Sequence, residues 1–271
     1  MKEILDIQLL NLLLGFIILV IPVSIFIYFR VKLVKDLLIS VVRMVAQLSL
    51  VALYLEWIFN LNNAWVNSLW VVVMIFVGIT TTIRRVGIRW RYFLLPFLLA
   101  SATSVVIIDA FFLGLVLNLE YTFDARYFVP ITGMVLGNSL NHNIVGLSTY
   151  FDSLSAKSDL YYFLRTNSRQ GGRVLHPFIG EAINRGMNPL IATMSVIGLI
   201  SLPGMMTGQI LGGSSPTIAI KYQVMIMLAI FGGCILNLVL SILISNRFIF
   251  DNYQRFRKNV LRTGTAAGKN A

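Results

Sequence analysis

Cysteine occurs once, at Cys234, and histidine twice, so a disulfide framework and a thiolate metal cluster are both excluded for this chain on its own. Acids are scarce: 11 Asp and Glu stand against 22 Lys and Arg in 271 residues. Charged residues reach only 12% of the chain, half of what a soluble domain carries. The longest polar interval runs from about Asp152 to Asn188, which leaves no room for a separate soluble domain. Several catalytic signatures are also missing. No Gly-x-x-x-x-Gly-Lys-Ser/Thr phosphate loop is present, so ATP hydrolysis by that device is excluded. The sequence holds no His-Glu-x-x-His zinc site, and Ser139 near His142 lacks the Gly-x-Ser-x-Gly elbow of a serine hydrolase.

What remains is apolar: 57% of residues are hydrophobic and the mean hydropathy is +0.81. A bilayer core of about 30 Å takes roughly 20 residues of helix. Seven runs meet that length, at about Leu9–Phe29, Leu38–Phe59, Val66–Ile83, Phe93–Leu117, Phe128–Tyr150, Pro189–Leu211 and Tyr222–Ser245. The composition therefore predicts an all-α polytopic membrane protein. Residues 1–246 form the transmembrane domain and 247–271 a short basic tail. The first run lacks a small-residue cleavage site and reads as a retained span.

Orientation follows from the basic residues. With the N-terminus outside, every Lys and Arg except Lys2, Arg43, Arg126 and Lys221 falls in an inner segment or the tail. The positive-inside rule then puts the C-terminus and the 152–188 loop in the cytoplasm, with the plasma membrane (the bacterial cell membrane) as the location. Because these charges sit in short clusters between apolar runs, they read as topology signals and anionic-lipid contacts rather than a nucleic-acid face.

Polar and small residues inside the apolar runs mark the candidate working parts. The sixth run holds Gly198-Leu-Ile-Ser-Leu-Pro203-Gly204-Met205-Met206-Thr-Gly208, and Gly204, Gly208 and Gly212 recur every four residues. On one helix they form a strip for close backbone approach, just after a kink at Pro203. Met205 and Met206 fit either gap-filling core or thioether ligands to a soft ion. In the fifth run Asn138-Ser-Leu-Asn141-His142-Asn follows the pair Gly133 and Gly137. Lipid cannot satisfy such groups, so they line a path or bond between helices. His142 fits a metal ligand or an interfacial histidine, and no confident metal site results. Asp109 lies deep enough to pair with Arg43 or face a pore, and Arg43 and Gln47 share one helix face; Glu56 is closer to the outer surface.

The cytoplasmic loop reads as one or two amphipathic helices around Lys157–Arg165 and Val174–Gly186, flanking a turn-rich Asn167–Gly172. They lie on the membrane surface or act as a coupling helix docked on a motor subunit. Glu181-Ala182, Gly186 and Ile200-Ser201-Leu202-Pro203 resemble the Glu-Ala-Ala…Gly…Ile-x-Leu-Pro pattern of ATP-binding-cassette permeases, with a longer spacing.

Ser201-Leu-Pro-Gly-Met-Met-Thr-Gly208 followed by Ala219-Ile-Lys-Tyr-Gln-Val-Met225 resembles the signature of the FetB-like permease family, UPF0014. Pro130-Ile-Thr-Gly-Met134, Gly137-Asn138, and Arg43 with Gln47 agree with it, in order from about Val41 to Met225. The resemblance implies a seven-span permease subunit of an ABC transporter. It binds no cofactor itself, works as a homodimer, and pairs with a cytoplasmic ATPase that uses the ATP. The family links it to iron export and metal resistance, and in plants to aluminium tolerance and UDP-glucose transport; an ATP-independent carrier or channel is the other class to exclude. Relatives carry Glu-x-x-x-Leu-Gly-Ala in the loop, where this chain has Tyr161–Arg173 with a different composition. The residues expected at the ATPase are Tyr161, Phe163, Arg165, Arg173, Glu181, Ala182 and Gly186. Those expected along the substrate path are Arg43, Gln47, Asp109, Asn138, Asn141, His142, Met205 and Met206, with Gly133, Gly137, Pro203, Gly204, Gly208 and Gly212 for packing and bending.

Overall fold

The computed structural model describes residues 8–167, 173–251 and 253–257, and they are helical almost throughout, with no strand among them. The middle of the Asn167–Gly172 turn and the tail from residue 258 lie outside the described residues. The first apolar run forms α1 (Leu9–Gly15) and α2 (Val20–Tyr28), joined by a tighter 3₁₀ turn. Next come α3 (Val34–Leu61), α4 (Ala64–Val86) and α5 (Trp90–Asp109), the last continuing as a π-helical segment, Ala110–Val116. The long α6 (Ala125–Ala156) leads into α7 (Ser158–Asn167) and α8 (His176–Val196). A short α9 (Gly204–Leu211) and the 34-residue α10 (Pro216–Ile249) complete the set. Five stretches are long and apolar enough to cross a membrane: Leu10–Tyr28, Val34–Leu61, Ala64–Val86, Trp90–Val116 and Pro216–Ile249.

Helix ends follow local chemistry. Asn63 and Asp124 accept hydrogen bonds from the backbone at the starts of α4 and α6, and Pro216 opens α10 behind the Ser215 cap. Gly87 ends α4 in the left-handed region, at φ 76°, where glycine carries no Cβ penalty. Asn62 does the same for α3, and its side-chain oxygen accepts from the Ala125 N–H at 2.9 Å, tying α3 to the head of α6.

The sixth run departs from expectation. Pro203 does not kink a continuous helix; α8 stops at Val196, and Pro203 is the residue before α9. Between them Gly198 takes φ +86°, and its N–H donates to the Ser201 carbonyl at 3.0 Å in a closed turn. A left-handed glycine followed by a proline without an N–H removes both the geometry and the donor a helix needs. The element is two half-helices, not a bent rod.

The core is a bundle of α4, α5, α6, α8 and α10. Its tight crossings use glycines other than those expected: a Cβ on Gly233 would lie 2.5 Å from Val135 Cγ1. One on Gly146 would lie 2.7 Å from the Leu238 methyls and 3.2 Å from the Ala182 carbonyl. By contrast Gly137, Gly204 and Gly208 face open space, Gly212 meets only the end of its own helix, and Gly133 makes ordinary contact with Met74. α1, α2 and most of α3 stand apart from this bundle; only the C-terminal end of α3, through Tyr54, Leu55, Ile58 and Phe59 and the Asn62 bond to α6, packs against it.

Candidate functional site

The side chains of Ser139 and Asn143 enter the bundle, whereas Asn138 and Asn141, one and two residues away from them, do not. Ser139 and Asn143 are buried among α4, α5 and α10, beside Ser101, Asn237 and Ser241. Asn237 Nδ2 donates to Ser101 Oγ at 3.2 Å, and Ser241 Oγ donates to Asn237 Oδ1 at 3.2 Å. Above them Ser104 Oγ donates to the Gly233 carbonyl at 3.0 Å and Ser139 Oγ faces Cys234 Sγ at 3.6 Å. The cavity along this seam is about 30 Å³, enough for one or two waters and far too small for a solvated ion or a sugar nucleotide. In this conformation the seam is a hydrogen-bonded lock between helices, not a conduit.

The expected path residues scatter over three other places. Asn138 is half-buried and donates to its own helix, at the Met134 carbonyl, 2.8 Å away; Asn141 is exposed beside Gly137 on the open face of α6. His142 donates from Nδ1 to the Gly186 carbonyl at 2.8 Å, since a carbonyl only accepts, so that bond fixes its tautomer and clips α6 to α8. Arg43 and Gln47 lie on the exposed face of α3, and Glu56 is exposed as well. Asp109 does not pair with Arg43: it is 5% exposed at the start of the π-helical segment and accepts from Thr132 Oγ1 at 2.5 Å. Among the described residues the one ion pair is Lys157–Glu181, and no group of three His, Cys, Asp or Glu side chains is placed to hold a metal.

Met205 and Met206 separate. Met206 is buried, as a core residue is, while Met205 lines a chamber of about 380 Å³ between α6, α9 and α10. Its other walls include Arg126, Tyr127, Met134, Gln209 and Tyr222, and Gln209 Oε1 is buried without a hydrogen-bond partner. Two thioethers, an amide oxygen and two phenols put soft and hard donors on these walls, with the Arg126 guanidinium beside them, and they form no cage for a metal ion. Of the residues proposed from sequence only Met205 belongs here; Tyr222 lay within a quoted motif and Gln209 just after one, but nothing in their spacing set them apart.

The end of the bundle at α7 is held together by polar and aromatic contacts. Glu181 Oε2 accepts from Lys157 Nζ and from Ser153 Oγ, each at 2.8 Å, and these bonds hold its carboxyl below the usual carboxylate range. Tyr161 of α7 is buried, stacks on Phe250 at 5.3 Å and donates to the Gln254 carbonyl at 2.8 Å. Residues 250–257, read from sequence as part of a simple basic tail, instead fold back as a hairpin: Asp251 accepts from the Tyr253 and Arg255 N–H groups, and Arg257 N–H reaches the Ile249 carbonyl. Phe163, Arg165 and Arg173 are exposed. Ala182 and Gly186, expected to touch an ATPase, are sealed in the α6–α8 crossing, because a small side chain there is what lets the two helices approach.

A bundle of apolar helices with polar seams, a broken helix and an amphipathic arm matches one family over nearly its whole length. The chain belongs to UPF0014, described as an uncharacterised protein family, whose model matches residues 9–250. It is 26% identical over 236 residues to the UPF0014 membrane protein YjkA of Bacillus subtilis, covering 85% of this chain and 91% of that one. Similarity to the probable iron export permease protein FetB of Escherichia coli is 26% over 228 residues, 82% and 85% of the two chains. With the protein ALUMINUM SENSITIVE 3 of Arabidopsis thaliana it is 27% over 207 residues, 76% and 74%. No solved structure matches this UPF0014 chain. It is thus a multi-pass membrane protein of a permease family.

Proposed function

We propose that this chain is the membrane subunit of an ABC transporter that exports metal ions, with iron as the first candidate cargo, powered by a separate cytoplasmic ATPase. The observation that carries the reading is the family match over residues 9–250 with an iron export permease among the relatives. The alternation of helix directions is compatible with seven crossings. α6 and α10 run side by side in one direction, with Val135 at Gly233 and Tyr150 bonded to Asn246, while α5 runs against them, with Ser101 at Asn237. The α8 half-helix, followed by α9, makes the sixth crossing as a broken span, a form that transporters use around their sites.

In this reading α7 receives the ATPase through exposed Phe163 and its neighbours. Its movement passes to α8 through Lys157–Glu181 and to α10 through Tyr161 and Phe250. The Ile197–Pro203 turn is the hinge, and the Met205 chamber the outer end of the path. A second copy covers α3, whose Arg43 and Gln47 lipid cannot satisfy. The test is reconstitution in vesicles with and without the copurified ATPase chain, reading Fe²⁺ and UDP-glucose movement. ATP-dependent iron transport that vanishes without the ATPase is expected. Gradient-driven transport by the purified chain alone would replace this reading with a secondary carrier.

A further inference from the structure

Asp109 faces a second cavity that the transport reading leaves unused. A crevice of about 320 Å³ lies between the outer halves of α4 and α5, lined by Val71, Val105, Phe123, Phe128, Ser68 and Asp109. Its walls are almost wholly apolar, and the volume is in the range of small-molecule sites. Phe123 and Phe128, edge to face at 5.4 Å, add aromatic rings to its aliphatic walls. One oxygen of Asp109 is engaged by Thr132; the other, Oδ1, is buried with no hydrogen-bond partner. No cationic side chain among the described residues forms an ion pair with it.

A carboxyl group held in such surroundings stays ionised only when a cation or a donor is brought to it, and otherwise carries its proton. Asp109 stands at the start of the π-helical segment, a form of backbone often found at functional positions. Aromatic faces beside one carboxylate select an organic ammonium over a bare metal ion, because the rings attract the charge while the apolar walls take the carbon body. A bare divalent ion would find a single carboxylate and two hydroxyls, too few oxygens for its coordination shell.

We propose that the α4–α5 crevice binds an amphipathic primary amine, its ammonium on Asp109 and its apolar body against Phe123, Phe128 and the valines. The inference is independent of the ATPase and of the cargo. The test uses the full chain in nanodiscs of phosphatidylglycerol, which carries no amine, with 4-phenylbutylamine as probe and 4-phenylbutanol as its neutral counterpart, read by calorimetry. The amine is expected to bind about tenfold or more tightly than the alcohol, the scale of a hydrogen bond to a charged group. Asp109→Asn should abolish that preference, and Val106→Trp, which fills the crevice from its exposed rim, should weaken both probes. Equal binding of amine and alcohol, or unchanged binding in Asp109→Asn, overturns the proposal. If Asp109→Asn does not insert, Val106→Trp decides: amine binding that survives it overturns the site, and loss of binding supports it. Adding phosphatidylethanolamine then separates two sources of the ammonium, since competition assigns the site to a lipid headgroup and its absence to a free amine.

Discussion

The Leu10–Tyr28 and Pro216–Ile249 spans are almost equally apolar, yet nothing in the first is buried, against 44% of the most apolar part of the second. The difference lies in small and polar residues. α10 presents Gly233, Cys234, Asn237, Ser241 and Ser245 to its neighbours, all buried; Gly15 and Ser24 of the first span meet nothing comparable. In a bilayer, apolar surface gains nothing by leaving lipid for protein, so close approach and interhelical hydrogen bonds decide which helices join the bundle. α1–α3 are built to face lipid or another chain, and α4–α10 to face each other.

That contrast is sharpest at the glycines. Gly233→Leu forces a side chain into Val135 and should destabilise the protein by about 3 kcal/mol or more, seen as lost insertion or a strongly lowered Tm in detergent. Gly204→Leu and Gly208→Leu, facing open space, should leave Tm nearly unchanged, within about 0.5 kcal/mol. If the two kinds of variant behaved alike, the division between packed and open helix faces would be wrong. A smaller effect is expected in the polar seam. Asn237→Leu strands the Ser101 and Ser241 hydroxyls and should lower stability by about 1–2 kcal/mol, whereas Ser24→Leu on the exposed first span should have no measurable effect.

At the α7 end of the bundle, Tyr161→Phe keeps the stack on Phe250 but removes the bond to Gln254. A loss of about 1 kcal/mol is expected, with faster hydrogen exchange confined to residues 250–257. The smallest effect belongs to Glu181. Because its folded-state pKa lies below the unfolded value, any stability it contributes is present above the ordinary carboxylate range and is lost as pH falls through that range. The pair is solvent-facing and screened, so Glu181→Gln should lower Tm slightly at pH 7 and not at all once the pH is well below that range.

Much of the architecture was legible beforehand. Apolar runs of about 20 residues located α3, α4 and α5 to within a few residues, since a helix in a bilayer has a length set by its thickness, but α6 and α10 run on past their apolar stretches and α8 starts at His176, well before Pro189. Pro203 and Gly198 marked the place where the sixth run is interrupted. The side chains were less legible. Ser139, Asn143, Asn138 and Asn141 are alike in type and lie within six residues, yet only the first two enter the seam. Helical spacing says that residues 139 and 143 share a face and 137 and 141 another, but not which face meets α10. The same limit applies to the glycines: a repeat every four residues describes a smooth strip, and a strip needs a partner before it is an interface.

The sequence by itself determined the solvent in which this protein lives, its helical class, the length of its spans and its kinship with UPF0014, because each follows from composition or from contiguous residues. Only the tertiary structure decided that Gly233, Gly146 and Gly186 carry the close crossings, that the sixth run is two half-helices, and that Asp109 looks into an apolar crevice instead of pairing with Arg43. Those outcomes depend on which faces of different helices meet, and in a membrane that choice rests on the fit of a few small and polar groups far apart in the chain.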